Sequence, residues 1–146
     1  MQKRVQKMNV IAASPEAAVV NLQNYSMNAK AGFVNILKAT SGDYDNVTAL
    51  LSSQHLPAED IDKTLSHFFV AKEEGAVTAV IGLEVYGTAG LLRSMATDPA
   101  HRNKGIASML VLELINYAKQ KGIQEVFLLT ETAETYFAKK GFIRIR

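Results

Sequence analysis

The residues of this chain best suited to chemistry are the run Arg102-Asn103-Lys104-Gly105-Ile106-Ala107. It follows an apolar stretch that ends in Thr97-Asp98-Pro99 and opens a segment with helical spacing of about four turns. The first N–H groups of a helix have no intrahelical partner and the macrodipole is positive at that end, so a phosphate placed there meets aligned donors. Gly105 lets the backbone come close to a ligand, while Arg102 and Lys104 add positive charge. The chemistry expected is a diphosphate held through the backbone rather than through a metal. Short patterns of the form Arg-x-x-Gly-x-Ala occur at many helix starts, so the reading depends on a strand before and a helix after.

The 146 residues fit one domain with a core of its own, with 48% hydrophobic and 21% charged residues. The absence of cysteine excludes a disulfide scaffold, a cysteine nucleophile and thiolate zinc sites, and suits a reducing compartment, with cytoplasm as the default. A net charge of +2 with dispersed basic residues and 8% aromatics gives little footing for nucleic acid. His55, His67 and His101 show no metal spacing, and no nucleophilic serine elbow is present. No metal is expected. Residues 1–32 read as an N-terminal extension that could be a disordered arm, a partly helical flap over 15–22 or vector-like or upstream sequence, without a signal core or membrane span.

The elements that must position the run begin with a strand from Phe33 to Thr40. Ser41-Gly42-Asp43 then caps a helix carrying Val47, Leu50 and Leu51. Leu56-Pro57 stops that helix, Glu59 to Leu65 reads as a short second one, and Phe68-Phe69-Val70-Ala71 begins a strand. Glu73-Glu74-Gly75 turns the chain into a long strand with Val77, Ala79, Ile81, Leu83 and Val85 on one face and Glu84 and Tyr86 on the other. After a strand from Leu91 to Thr97, Ala107, Leu110, Val111, Leu114 and Ala118 mark a helix that Gly122 ends. Val126 to Leu129 form a buried strand, Ala133 to Lys140 a last helix closed by Gly141, and Ile143 to Ile145 a final strand. The order βααβββαβαβ is that of an α/β sandwich with antiparallel and mixed strands.

This order, with Met95-Ala96-Thr97-Asp98-Pro99, Arg102 to Ala107 and Tyr136-Phe137-Ala138-Lys139-Lys140-Gly141-Phe142, resembles the GNAT superfamily of acyl-CoA-dependent N-acyltransferases over residues 33–146. Gly82 to Gly87, Leu91-Leu92-Arg93-Ser94 and Leu129 to Glu134 resemble two groups within it. These are the small N-acetyltransferases encoded in arsenic-resistance operons and the acetyltransferase domain of N-acetylglutamate synthases. The resemblance implies an α/β/α sandwich around a mixed, mostly antiparallel twisted sheet, splayed between the strands of Met95 and Leu128. It implies acetyl-CoA as co-substrate in that gap, with Met95, Ala96 and Thr97 along the pantetheine arm and Arg102, Asn103, Lys104, Gly105, Ile106 and Ala107 at the pyrophosphate. Buried pantetheine amides need partners, and a splayed strand edge offers them. Thr130 stands where many relatives have a cofactor-contacting asparagine, and Phe137 where many have a tyrosine that protonates the departing thiolate. Tyr136 is adjacent, but one helical residue rotates a side chain by about 100°.

An amine acceptor arrives protonated and needs a base. Glu84 is the first candidate, read alternatively as a solvated or ion-paired strand residue; Glu131 competes, read alternatively as an acid that favours a helix start. Tyr86, Arg93 and Ser94 are the expected acceptor contacts, since a planar guanidinium suits a carboxylate in bidentate geometry, although an outer-face strand arginine is also commonly ion-paired. The activity expected is acetyl transfer to the amine of a small, amino-acid-like molecule by direct attack in a ternary complex. A non-catalytic acyl-CoA-binding module, favoured by Phe137, and a protein-lysine acetyltransferase are the alternatives. A homodimer is one expected assembly; nucleic acid and membrane are not expected partners.

Overall fold

The computed structural model describes residues 9–18, 34–130 and 132–145. Seven strands form one sheet: β1 (Asn9–Ala13), β2 (Asn35–Lys38), β3 (Phe68–Glu73), β4 (Ala76–Tyr86), β5 (Ala89–Thr97), β6 (Glu125–Thr130) and β7 (Ile143–Arg144). Their order across the sheet is β2-β3-β4-β5-β6-β1-β7. Every neighbouring pair is antiparallel except β5 and β6, which run parallel. Helices α1 (Tyr44–Ser53), α2 (Ile106–Gln120) and α3 (Glu134–Ala138) complete the described elements, together with helical residues 15–18 and short 3-10 turns at Ser41–Asp43 and Pro99–His101.

Two cores lie on opposite faces of the sheet. Leu110, Val111, Leu114, Ile115 and Ala118 of α2 pack with Ile11, Phe69, Ile81, Leu83, Val126 and Leu128. Val47 and Leu51 of α1 pack with Leu65, Val70, Val80 and Ala96. Leu110, Val111, Leu114 and Ala118 of the helical stripe read from the sequence form the buried face of α2, joined by Ile106 and Ile115, whereas Ala107 is half-buried. Gly122, at φ +78°, ends it, and the Ile123 N–H donates back to the Ala118 carbonyl at 3.0 Å.

Strand β4 departs from simple alternation. Its pairing with β3 shifts register between Ala71 and Lys72, and buried Thr78 donates its hydroxyl to the Ala71 carbonyl at 3.3 Å. The extra residue sends Val77 to the α1 core, while Ala79, Ile81 and Leu83 stay with the α2 core and Val85 is exposed. The expected single apolar face is thus split by a bulge. The preceding turn matches expectation: Glu74 at φ +51° and Gly75 at φ +82° have the paired left-handed geometry that suits the right-handed twist of a hairpin.

Four further segments differ from the sequence reading. Residues 59–65 form turns, not a helix, because Asp62 accepts from the Thr64 N–H (3.2 Å), Thr64 Oγ1 (2.5 Å) and Ser66 Oγ (3.1 Å), and Leu65 sits at φ +51°. The segment set apart as an extension supplies β1, seated between β6 and β7 with Ile11 opposite both Leu128 and Arg144. Its five residues are too few and too rich in alanine to stand out before their partners are known. The last helix is shorter than expected, ending at Ala138, after which the Phe142 N–H closes onto the Phe137 carbonyl at 3.1 Å. The first expected strand shortens to β2, and its expected start, Phe33, lies outside the described residues.

Candidate active site

The feature that makes a site is a break in the sheet. β5 pairs with β6 only through Ala89, Gly90 and Leu91, opposite Glu125, Val126 and Phe127. Beyond Leu91 the described strands pair no further. On its other edge β5 shifts register against β4 between Val80 and Gly82, where Ser94 takes a left-handed φ of +57°. A bulge in one strand increases its local twist and bends it away from its neighbour. It therefore accounts for the splay that the sequence reading placed between the strands of Met95 and Leu128, although nothing in Ser94-Met95 announces it.

A cleft of about 520 Å³ fills the opening on the Met95 side. Met95, Ala96, Thr97, Arg102, Asn103, Gly105, Ile106 and Ala107, all expected at the cofactor, line it. The helix start is built as the sequence implies. Gly105 sits at φ +79°, a conformation that costs a side-chain-bearing residue energy, and the first α2 bond runs from the Met109 N–H to the Gly105 carbonyl at 3.1 Å. The N–H groups of Ile106, Ala107 and Ser108 precede that bonded ladder and stand in the cleft wall. Asp98 shapes the approach by accepting the Ala100 N–H at 2.9 Å. A helix start with donors of this kind is the sort of place where a phosphate group binds.

Three residues expected at the cofactor are elsewhere. Lys104 does not line the cleft; its Nζ stands 3.9 Å from Glu73 at the β3–β4 hairpin, where Glu73 also pairs with His101 Nδ1. Thr130 is buried and accepts the Ala133 N–H through its hydroxyl at 2.8 Å, so its oxygen closes the turn after β6. Phe137 is buried in the α2 core, edge-on to Phe142 at 5.3 Å between ring centroids. Tyr136 faces the cleft in its place, with its hydroxyl 3.2 Å from Ser108 Oγ and its ring 3.8 Å from Lys140 Nζ. Burial pushes the Tyr136 phenol up. Gln54, His101, Ser108, Thr132 and Ala133 also line the cleft without having been expected there. Gln54 donates to the Thr97 carbonyl at 2.6 Å and Arg102 Nε donates to it at 3.3 Å.

A second cavity of about 350 Å³ lies on the Ser94 side of the bulge, between Leu129 of β6 and the loop after α1. Glu84 and Arg93 line it, and a neighbouring cavity of about 330 Å³ adds Tyr86. The structure thus brings Glu84, Tyr86, Arg93 and Ser94 together as expected. Arg93 Nη1 donates to Glu84 Oε1 at 2.5 Å, Arg93 Nε to Ser94 Oγ at 2.9 Å, and the Tyr86 hydroxyl to Glu84 Oε2. That last bond and the Glu84 charge push the Tyr86 phenol up. Asp60 is the member that the sequence reading missed. It takes both Nη groups of Arg93 at 2.8 Å, and its carboxyl is held below its ordinary range chiefly by those bonds. Glu131, the competing base, lies outside the described residues. Among the described residues no group of three metal-ligating side chains is placed to hold an ion, and no helix is long and apolar enough to cross a membrane.

A mixed sheet split beside a helix start frames this cleft, and comparison with known proteins gives the fold a family. Residues 34–142 match the model of the Acetyltransferase (GNAT) family, and the chain belongs to it. It is 28% identical over 123 residues to an amino-acid acetyltransferase of Neisseria meningitidis serogroup A, covering 78% of this chain and 28% of that one. The chain therefore spans under a third of that relative's length. N-acetylglutamate synthase from Neisseria gonorrhoeae, complexed with coenzyme A and L-arginine, shares the fold at a TM-score of 0.71 and 24% identity, over 78% of this chain and 28% of that one. A Mycobacterium tuberculosis protein solved in complex with CoA aligns at a TM-score of 0.68 and 28% identity, over 77% of this chain and 73% of that one.

Proposed function

We propose that this chain transfers an acetyl group from acetyl-CoA to the amine of a small, amino-acid-like acceptor by direct attack in a ternary complex. The observation that carries the reading is a pair of cavities lined by adjacent residues of one bulge, Met95 in the cleft walled by the start of α2 and Ser94 in the cavity walled by Glu84 and Arg93. The curated relatives named as amino-acid acetyltransferases and the CoA-bound mycobacterial neighbour support it. In this reading the N–H groups at the start of α2 and the Arg102 guanidinium take the diphosphate. The edge of β5 that β6 leaves unpaired takes the pantetheine amides near Met95. The Thr97 carbonyl, already accepting from Gln54 and Arg102, is the less available part of that edge.

The acceptor nitrogen forms its bond to the acetyl carbon as the carbon–sulfur bond breaks and CoA leaves as a thiolate. Glu84 takes the amine proton, directly or through water. Phe137 carries no proton to give, so protonation of the thiolate falls to solvent, to the acceptor side or to the Tyr136 hydroxyl that faces the cleft. Holding both reactants across one bulge supplies the proximity from which such a transfer gains most.

Thiol release from acetyl-CoA, followed across a panel of amines, amino acids and lysine peptides, tests the proposal. A free amino acid is expected to raise release well above background. If CoA binds in calorimetry yet no amine raises release, the non-catalytic binding module is the correct reading. Release confined to peptides makes the chain a protein-lysine acetyltransferase.

A further inference from the structure

The Arg93 guanidinium is the cation offered to an acceptor carboxylate, yet it is already engaged. Its Nε donates to Ser94 Oγ, Nη1 to both Asp60 Oδ2 and Glu84 Oε1, and Nη2 to Asp60 Oδ1. These are four of the five N–H donors a guanidinium has. Asp60 holds the two parallel bonds of the planar fork, the geometry in which an arginine receives a carboxylate ligand. The two partners differ in setting. The Arg93 side chain is 17% exposed and fixed in a strand, whereas Asp60 is 62% exposed and lies in the turns between α1 and β3. Asp60, Glu84 and Arg93 line both cavities on this side of the bulge. The ion that can leave is Asp60.

We propose that Asp60 is a built-in competitor for the acceptor's carboxylate, occupying the Arg93 fork until a carboxylate-bearing acceptor displaces it. The inference rests on the acetyltransferase reading for what the acceptor is, but the exchange at Arg93 stands on its own geometry. One carboxylate replaces another, so the charge around the guanidinium is conserved, and Glu84 and Ser94 keep Arg93 oriented during the exchange. The apparent affinity for a carboxylate is reduced by the fraction of molecules in which Asp60 holds the fork. Acceptors that lack a carboxylate gain nothing from that displacement, which makes Asp60 a determinant of specificity rather than of chemistry.

The experiment is done on the full chain and its Asp60→Asn and Asp60→Ala variants, with sodium acetate as a bare carboxylate probe. The Arg93 Nε–H resonance, assigned by its loss in Arg93→Lys, is followed by NMR. Half-saturation is expected at an acetate concentration about three- to sixfold lower in both variants than in the wild type, the gain available when an exposed bidentate pair ceases to compete. Equal half-saturation in all three proteins overturns the proposal, whether or not the protein acetylates anything. In parallel, thiol release is measured with L-glutamine and with its α-carboxamide. The variants are expected to lower KM for L-glutamine by a similar factor with no comparable gain for the carboxamide. Equal gains for both probes mean that the loop has merely loosened, and overturn the competitor. Absence of turnover in every protein across the full panel of amines, amino acids and lysine peptides, with the acetate shift intact, removes the acetyltransferase reading and leaves the exchange standing.

Discussion

On the Met95 side of the bulge the working polar groups are backbone N–H groups, left without partners because a helix begins there. On the Ser94 side they are side chains whose charges satisfy one another: Arg93 with Asp60 and Glu84, and Tyr86 with Glu84. A site made of unspent backbone is set by the fold and needs nothing broken before a ligand enters. A site made of mutually satisfied charges must give up bonds for each one it gains, so its selectivity comes from what is able to displace them. In the proposed transfer, the same strand would offer free backbone donors to one substrate and an exchangeable ion pair to the other.

The largest effect that separates the two regions is expected from Gly105→Glu. A side chain at φ +79° strains the turn, and a carboxylate at the start of α2 repels a diphosphate. CoA affinity measured by calorimetry should fall by about 100-fold or more, with the fold intact by circular dichroism. Retained binding would remove the backbone cradle and with it the contrast. Next is Glu84→Gln, which should lower turnover by at least about tenfold, the lower end of what a positioned base contributes, while leaving CoA binding near the wild-type value. The deficit should grow as pH falls, because more of the amine is then protonated and in need of a base. A loss that stays flat or vanishes with pH moves the base away from this side. The smallest effect is expected from Lys104→Ala: CoA affinity should change by less than about twofold, because Lys104 stands against Glu73 and outside the cleft. A tenfold loss would mean that the lysine swings in to the phosphates and that the cradle is not backbone alone.

The two regions were also unequally legible in the sequence, for the same reason. A backbone cradle leaves a local trace: a glycine, a helical stripe and a strand before it lie within some twenty residues, and eight of the expected cofactor residues do line the cleft. The carboxylate pair on Arg93 has no such trace, since Asp60 reaches it across 33 positions of sequence. The stretch around Asp60 reads as a short helix over Glu59 to Leu65, whereas Asp62 bonds Thr64 and Ser66 and stops a helix from forming. Side-chain direction was legible only where periodicity holds. Within α3 it failed: Tyr136, not Phe137, faces the cleft, because the short helix turns Phe137 inward against Phe142. The Thr78 and Ser94 bulges have no sequence signature of the glycine kind, and both redirect everything that follows them in their strands.

Strand β1 gives the cleft a dependence that lies in chain topology. Its Ile11 pairs with Leu128 and its Ala12 with Ile143, so β6 is held on its outer edge by a strand from the opposite end of the chain, and β7 reaches the sheet only through it. Strands β3, β4 and β5 pair with neighbours close in sequence, whereas the wall that faces them across the cleft is braced by β1, whose partners β6 and β7 lie at the far end of the chain. The gap is thus bounded on one side by pairings local in sequence and on the other by the pairings that close the longest loops among the described strands.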